Sequence, residues 1–135
     1  MCDVNLRIII AGSRSFYDYD FAKEKIDEVI AKYPNSSVEI ISGGAKGADS
    51  LGIQYAQEHD IELTVYYAQW ANYGKSAGFI RNTQMAQWAK ERGSKGILIA
   101  FWDGESRGTS HMVNIAKKKK IKTYIFYPGK EFDNG

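Results

Sequence analysis

The stretch at 38–49, Val38-Glu39-Ile40-Ile41-Ser42-Gly43-Gly44-Ala45-Lys46-Gly47-Ala48-Asp49, constrains this chain more than any other. Val38, Ile40 and Ile41 are β-branched and apolar, which suits a strand. Three glycines follow within five residues, and then Ala48, Leu51, Gly52, Tyr55, Ala56 and His59 recur at helical spacing. Strand, glycine turn and helix in succession build a cradle for phosphate. Glycine lets the backbone approach a ligand closely, and the unpaired N–H groups at the helix start point towards it. A tight strand-to-helix turn without a ligand is the other reading of the same residues. On the cradle reading, Gly44 lies where phosphate meets backbone, so any side chain there takes the phosphate's space.

Two familiar cradles do not fit. A Walker loop needs Gly, four residues, then Gly-Lys-Ser/Thr. Lys46 precedes the last glycine, and Gly74-Lys75-Ser76 has Gln69 where the first glycine belongs. The segment 42–47 matches G-x-G-x-x-G except for Ser42 in first place. The acid that would hold a dinucleotide ribose belongs near the end of the next strand. Asp60 and Glu62 fall at its start, which argues against an ordinary NAD dehydrogenase.

Four further segments read as strands and three as helices. The run 6–11 is apolar almost throughout, as a buried parallel strand is. It empties into Gly12-Ser13-Arg14-Ser15, where Arg14 either forks onto a phosphate or carboxylate or is a solvated loop residue. Asp18 or Asp20 caps a helix with Ala22, Ile26, Val29, Ile30 and Tyr33 on one face. A third strand is expected at 61–66. The loop 69–75 holds Lys75 together with Trp70 and Tyr73, whose rings either stack on a flat base or pack the loop onto the domain. A helix to about Arg92 carries Arg81 and Asn82 in its first turns, ahead of Met85, Ala86, Trp88 and Ala89; surface exposure is the alternative role for Arg81. The strand 96–102 ends in Asp103-Gly104-Glu105-Ser106-Arg107-Gly108-Thr109, with Thr109 or Ser110 starting a helix that turns Met112, Ile115 and Ala116 inward. Lysines 117–120 read as a solvated helix end or as a nucleic-acid patch. A last strand at 121–126 stops at Pro128-Gly129.

Five strands alternating with four helices imply an α/β domain, a doubly wound parallel sheet with helices on both faces. Such sheets bind ligands at the carboxyl ends of their strands. The glycine and hydroxyl turns after the first, second and fourth strands all open on that edge, and their convergence says more than any one motif.

Length and composition bound the rest. The chain of 135 residues is 44% hydrophobic with two prolines, which fits one folded domain over 1–135. Two histidines and one cysteine leave no metal-ligand spacing, and Cys2 has no partner for an intramolecular disulfide. No apolar run approaches the ~18 residues of a membrane span, and no secretory h-region is visible, so a cytoplasmic setting is expected. A net charge of +2 permits a nucleic-acid partner without favouring one.

Gly12-Ser13-Arg14, the segment 42–49, Gly74-Lys75-Ser76-Ala77-Gly78-Phe79-Ile80-Arg81-Asn82, and Ala100 to Thr109 with Trp102-Asp103-Gly104, stand in fixed order. Together they resemble the YspA-like branch of the SLOG superfamily. These are Rossmann-like proteins of bacteria and phages, related to DNA-processing protein A and to the Lonely Guy phosphoribohydrolases. The resemblance runs from residue 6 to about 127. It implies a binding or sensing module for a nucleotide-derived phosphate ligand, such as an ADP-ribose-like molecule, with a homo-oligomer expected and no metal or catalytic residue assigned. Backbone N–H groups of Gly43, Gly44 and Gly47 would hold phosphate, Arg14 and Lys46 would add charge, and Ser42, Asp49 and Thr109 would fix ribose hydroxyls or the turns. Gly12, Ser13, Ser15, Trp70, Lys75, Arg81, Asn82, Asp103, Ser106 and Gly108 complete the candidate site. Lonely Guy enzymes carry a catalytic Glu after their Pro-Gly-Gly-x-Gly-Thr motif; here Ser110, His111 and Met112 follow Thr109. An N-glycosidic hydrolase would need Asp103, Glu105 or Asp49 as the acid, with Arg81 positioning phosphate. The third alternative, single-strand binding as in DNA-processing protein A, would use Trp70, Tyr73 and lysines 117–120.

Overall fold

A computed structural model describes residues 4–128; Cys2 and Gly129 lie outside the described residues. The strands are β1 (Val4–Gly12), β2 (Ser36–Ser42), β3 (Glu62–Val65), β4 (Lys95–Phe101) and β5 (Lys122–Phe126). They form one sheet in the order β3-β2-β1-β4-β5, and every adjacent pair is parallel. The helices are α1 (Tyr19–Ala31), α2 (Ala48–Glu58), α3 (Trp70–Tyr73), α4 (Ala77–Lys90) and α5 (Arg107–Lys118).

The alternation of β1 sends Leu6, Ile8 and Ile10 to one face and Ile9 and Ala11 to the other, and none is more than 7% exposed. A strand covered on both faces has no polar side to show, hence the continuous apolar run. The first face is covered by Ala22, Ile26 and Val29 of α1 with Leu51, Tyr55 and Ala56 of α2. Met85, Ala86 and Ala89 of α4 cover the second face with Met112, Val113 and Ala116 of α5. Each large apolar side chain buried this way contributes about 1.5–3 kcal/mol. The chain winds outward from β1 to β3, then crosses to β4 on the far side of β1. The winding direction therefore reverses between β1 and β4, and the doubly wound α/β fold expected from the sequence is the fold adopted.

Several details depart from the sequence reading. The stretch after β3, expected as a loop, holds the short helix α3 and a 3₁₀ turn at Gly74–Ser76. β3 is shorter than 61–66, and α4 stops at Lys90 rather than near Arg92, which has the left-handed φ of 59°. α5 begins at Arg107, ahead of the expected Thr109 or Ser110. Asp103 Oδ1 accepts from the N–H groups of Glu105 and Ser106, both at 2.8 Å, and this turn sets the helix direction early. Of the two possible caps for α1, Asp18 does the work, accepting from Phe21 N–H at 3.1 Å.

The apolar run of β1 also conceals a buried ion pair. Arg7 and Glu39 face each other directly across the β1–β2 ladder and are 5% and 3% exposed. Arg7 Nε is 3.3 Å from Glu39 Oε1, out of line for a hydrogen bond. The guanidinium lies over Trp88 at 3.8 Å, and Nη1 donates to the carbonyls of Trp88 and Glu91 at 2.7 and 3.2 Å. Glu39 Oε2 accepts from Thr64 Oγ1 at 2.6 Å and Trp88 Nε1 at 2.7 Å. One charged pair thus ties three strands to the end of α4.

Candidate functional site

The turns after β1, β2 and β4 open on the carboxyl edge of the sheet, as do the starts of α2, α4 and α5. Helix starts carry partial positive charge, so this edge favours an anion before any side chain is counted. At the switch between β1 and β4 lies an inner lobe of about 190 Å³. It is lined by Ala11, Gly12, Arg14, Ala45, Asp49, Arg81, Asn82, Met85, Ser106, Gly108, Thr109 and Met112. Beside it is an outer lobe of about 410 Å³, lined by Arg14, Gly43, Gly44, Ala45, Lys46, Tyr67, Ala68, Trp70 and Arg81. Arg14, Ala45 and Arg81 belong to both, so the two arginines stand where the lobes meet.

Arg81 is anchored at two points. Its Nη1 donates to the Gly43 carbonyl at 2.8 Å and its Nε to Asn82 Oδ1 at 3.2 Å. Burial lowers its pKa, the Asp49 carboxylate opposes that fall, and Arg14 adds to it. Asp49, 7% exposed, accepts from Ala45 N–H at 3.1 Å through Oδ2. Burial pushes its carboxyl above the usual value, while that N–H and the charges of Arg81 and Arg14 pull it back. Asn82, 3% exposed, donates to the Gly108 carbonyl at 3.2 Å and contacts His111 Nδ1 at 3.1 Å, joining α4 to α5.

The glycine turn is largely occupied with holding itself together. Gly44 N–H donates to Ser42 Oγ at 3.1 Å, and Ser42 Oγ donates to the Asp49 carbonyl at 2.9 Å. Ala48 N–H, at the start of α2, donates to the Ser13 carbonyl at 3.1 Å. Gly47 has φ 77°, and a Cβ there would sit 2.3 Å from the Ser13 carbonyl oxygen, so its smallness serves loop packing. A Cβ on Gly44 would meet the Tyr67 ring at 2.5 Å. The space expected to be reserved for phosphate at Gly44 is therefore shared with an aromatic side chain, and the Gly44 amide is already bonded.

Six of the expected site residues line neither lobe. Ser13 is buried and its Oγ accepts from Asp103 N–H at 3.0 Å. Ser42 and Gly47 shape the turn as described. Asp103 is taken up by the turn before α5, and the N–H groups of Glu105 and Ser106 hold its carboxyl below the usual range. Ser15 and Lys75 are exposed. Of the three acids considered for hydrolysis, Asp49 lines the inner lobe; Asp103 and Glu105 line neither. Trp70 and Tyr73 follow β3 on the carboxyl edge, whereas lysines 117–120 precede β5 on the opposite edge. The two groups therefore lie at opposite ends of the strands and do not share one edge of the sheet. Lys117 and Lys120 instead line a separate groove with Lys90, Lys95 and Lys122.

Sequence reasoning missed two residues. Tyr67 was available as an aromatic just past a strand end, the position where ligands are met. His111 was read only as the place of a missing Glu. Among the described residues, no cluster of His, Cys, Asp and Glu could hold a metal ion, and no helix is long and apolar enough to cross a membrane.

A model of the YspA, cpYpsA-related SLOG family matches residues 6–73, just over half of the chain. The match spans β1 to α3 and stops short of Arg81. The chain is also similar to the Gene 61 protein of Mycobacterium phage D29, at 29% identity over 125 residues that cover 89% of this chain and 95% of that protein.

Proposed function

Because the chain belongs to the YspA, cpYpsA-related SLOG family, we propose that it binds a nucleotide-derived phosphate ligand, of ADP-ribose or nucleoside-phosphate type, in the two-lobed cleft. The observation that carries this reading is the pair Arg14 and Arg81 at the junction of the lobes, with Lys46 beside them. Guanidinium forks suit phosphate oxygens. The outer lobe offers Tyr67 and Trp70 to a flat base. The inner lobe offers Asp49, Asn82, Ser106 and Thr109 to sugar hydroxyls. The two volumes together fall within the roughly 300–1,000 Å³ usual for such ligands. On this reading the protein works in the cytoplasm, where nucleotides are pooled, as a sensor or as a trap for a signalling nucleotide. Light scattering with and without ligand tests the homo-oligomer expected with it.

Thermal-shift assays and calorimetry with ADP-ribose, AMP and ribose 5-phosphate test the ligand class. A ligand at 100 times its Kd stabilises the fold by about 2.7 kcal/mol. ADP-ribose should bind more tightly than either fragment, and Arg81→Ala should weaken it most. If none of the three stabilises the protein at millimolar concentration, the reading falls.

Asp49 supports a second reading, an N-glycosidic hydrolase. A carboxyl raised by burial suits a proton donor, and it lies in the inner lobe beside Arg81. Release of free base from nucleoside monophosphates, lost in Asp49→Asn, would establish it. Recovery of intact nucleotide after long incubation excludes it.

A further inference from the structure

The hydrogen-bond directions around Asn82 admit one solution. Arg81 Nε–H can only donate, so the oxygen of the Asn82 amide faces it at 3.2 Å. The Gly108 carbonyl can only accept, so the Asn82 amide nitrogen faces it at 3.2 Å. That same nitrogen lies 3.1 Å from His111 Nδ1. A donor needs an acceptor, so Nδ1 carries no proton and the ring is the neutral Nε2–H tautomer. The imidazole is held flat against Phe79, with centroids 4.1 Å apart and planes at 19°.

We infer that His111 is a positioning residue for the ligand site: its unprotonated Nδ1 orients Asn82, and Asn82 in turn fixes Arg81 between the two lobes. The inference rests on the ligand reading above only for what Arg81 then holds. A proton on Nδ1 sets two donors against each other. Turning the Asn82 amide over does not relieve this, because its NH₂ would then face Arg81 Nε–H and its oxygen the Gly108 carbonyl. Protonation therefore loosens one of the two anchors of Arg81, the bond to Asn82, and leaves it held at the Gly43 carbonyl alone.

The surroundings of the ring favour the neutral form. On α4 it meets Phe79 and Asn82, with Arg81 one hydrogen bond beyond. On α5 its charged neighbour is Lys118. No described carboxylate forms an ion pair with it. Burial first, and Lys118 second, lower its pKa below the usual 6.5. The site should thus be intact at neutral pH and loosen in mild acid.

Two variants separate positioning from packing. His111→Gln keeps an acceptor that does not titrate, and His111→Phe keeps a flat ring without one. NMR of the ligand-free parent should show Nε2–H protonated and Nδ1 bare at pH 7.5, and the Arg81 Nε–H signal should move as His111 titrates. In His111→Gln that signal should not respond between pH 5 and 8. ADP-ribose affinity, by calorimetry, should fall about tenfold in the parent across the His111 titration. It should stay flat in His111→Gln and be about tenfold weak at every pH in His111→Phe. A proton on Nδ1 at pH 7.5, or an unchanged pH dependence in His111→Gln, overturns the inference. If ADP-ribose does not bind the parent, the ligand assignment fails, and the two NMR readouts decide the role of His111 on their own.

Discussion

Gly44 and Gly47 share a positive φ, 72° and 77°, yet replacing each by alanine should have different consequences. A side chain at positive φ costs about 1–2 kcal/mol at Gly44 and at least as much at Gly47, whose ψ of −128° lies outside the left-handed helical well. The neighbours differ. A Cβ on Gly47 would lie 2.3 Å from Ser13 O, 2.5 Å from Arg14 C and 2.5 Å from Arg14 O, all main-chain atoms. The loop after β1 must back away, breaking the 3.1 Å bond from Ala48 N–H to the Ser13 carbonyl. Leaving those buried groups unpaired adds about 1–3 kcal/mol, for a total of about 2–5 kcal/mol in Gly47→Ala. A Cβ on Gly44 meets the side of the Tyr67 ring, Cε1 at 2.5 Å and Cδ1 at 2.6 Å, and Val65 Cγ1 at 3.2 Å; Tyr67 is 66% exposed and able to swing into solvent. Gly44→Ala should lose only the backbone part, about 1–2 kcal/mol. Urea unfolding followed by circular dichroism measures both, with the difference in midpoint and no change in slope. Gly44→Ala should also bind ADP-ribose roughly tenfold more weakly, because Tyr67 leaves the outer lobe. If Gly44→Ala unfolds as easily as Gly47→Ala, the assignment of Gly47 to loop packing and Gly44 to the cleft is wrong.

Glu39→Ala leaves Arg7 buried without its partner and should cost about 3–5 kcal/mol, whereas the double variant Arg7→Met with Glu39→Leu should recover most of that in the same urea assay. The carboxyl of Asp49 has a higher pKa folded than unfolded, so the folded state holds its proton more tightly; stability from this group is fullest below the ordinary 3.8 and declines as pH rises towards the raised value. Asp49→Asn should accordingly melt higher than the parent at pH 7, with the gap closing towards pH 4 in a calorimetric series. Trp70 is 53% exposed, so Trp70→Ala should weaken ADP-ribose binding several-fold while moving the melting temperature little, as paired titration and melting curves will report. Replacing Lys117, Lys119 and Lys120 together by alanine should leave ADP-ribose affinity unchanged, because they precede β5 on the opposite edge of the sheet from the cleft; Lys118 is kept for its charge near His111.

Much of the cleft was legible beforehand because its parts are local. Gly12, the 42–49 turn and the 103–109 turn each follow an apolar run directly, and in a parallel sheet every such turn emerges on the same edge. Arg81 and Asn82 were legible as polar residues ahead of an apolar helix face, though not as neighbours of Gly43 and Gly108. Tyr67 escaped because nothing local marks a residue that covers a glycine 23 positions earlier. The grouping of Trp70 with the lysine run failed because their distance in space depends on which edge each connection leaves.

The sequence by itself determined the alternation of buried strands and amphipathic helices, and with it a parallel sheet whose glycine turns share one edge. Hydrophobic period, glycine and capping residues act over a few neighbours, so these features are written locally. The strand order β3-β2-β1-β4-β5 decided what was brought together. It placed Arg7 against Glu39, Asp49 beside Arg81, and His111 against Asn82, pairs separated by 32, 32 and 29 positions. Whether a carboxylate is buried, or an imidazole must stay neutral, depends on such partners, and only the packed chain supplies them.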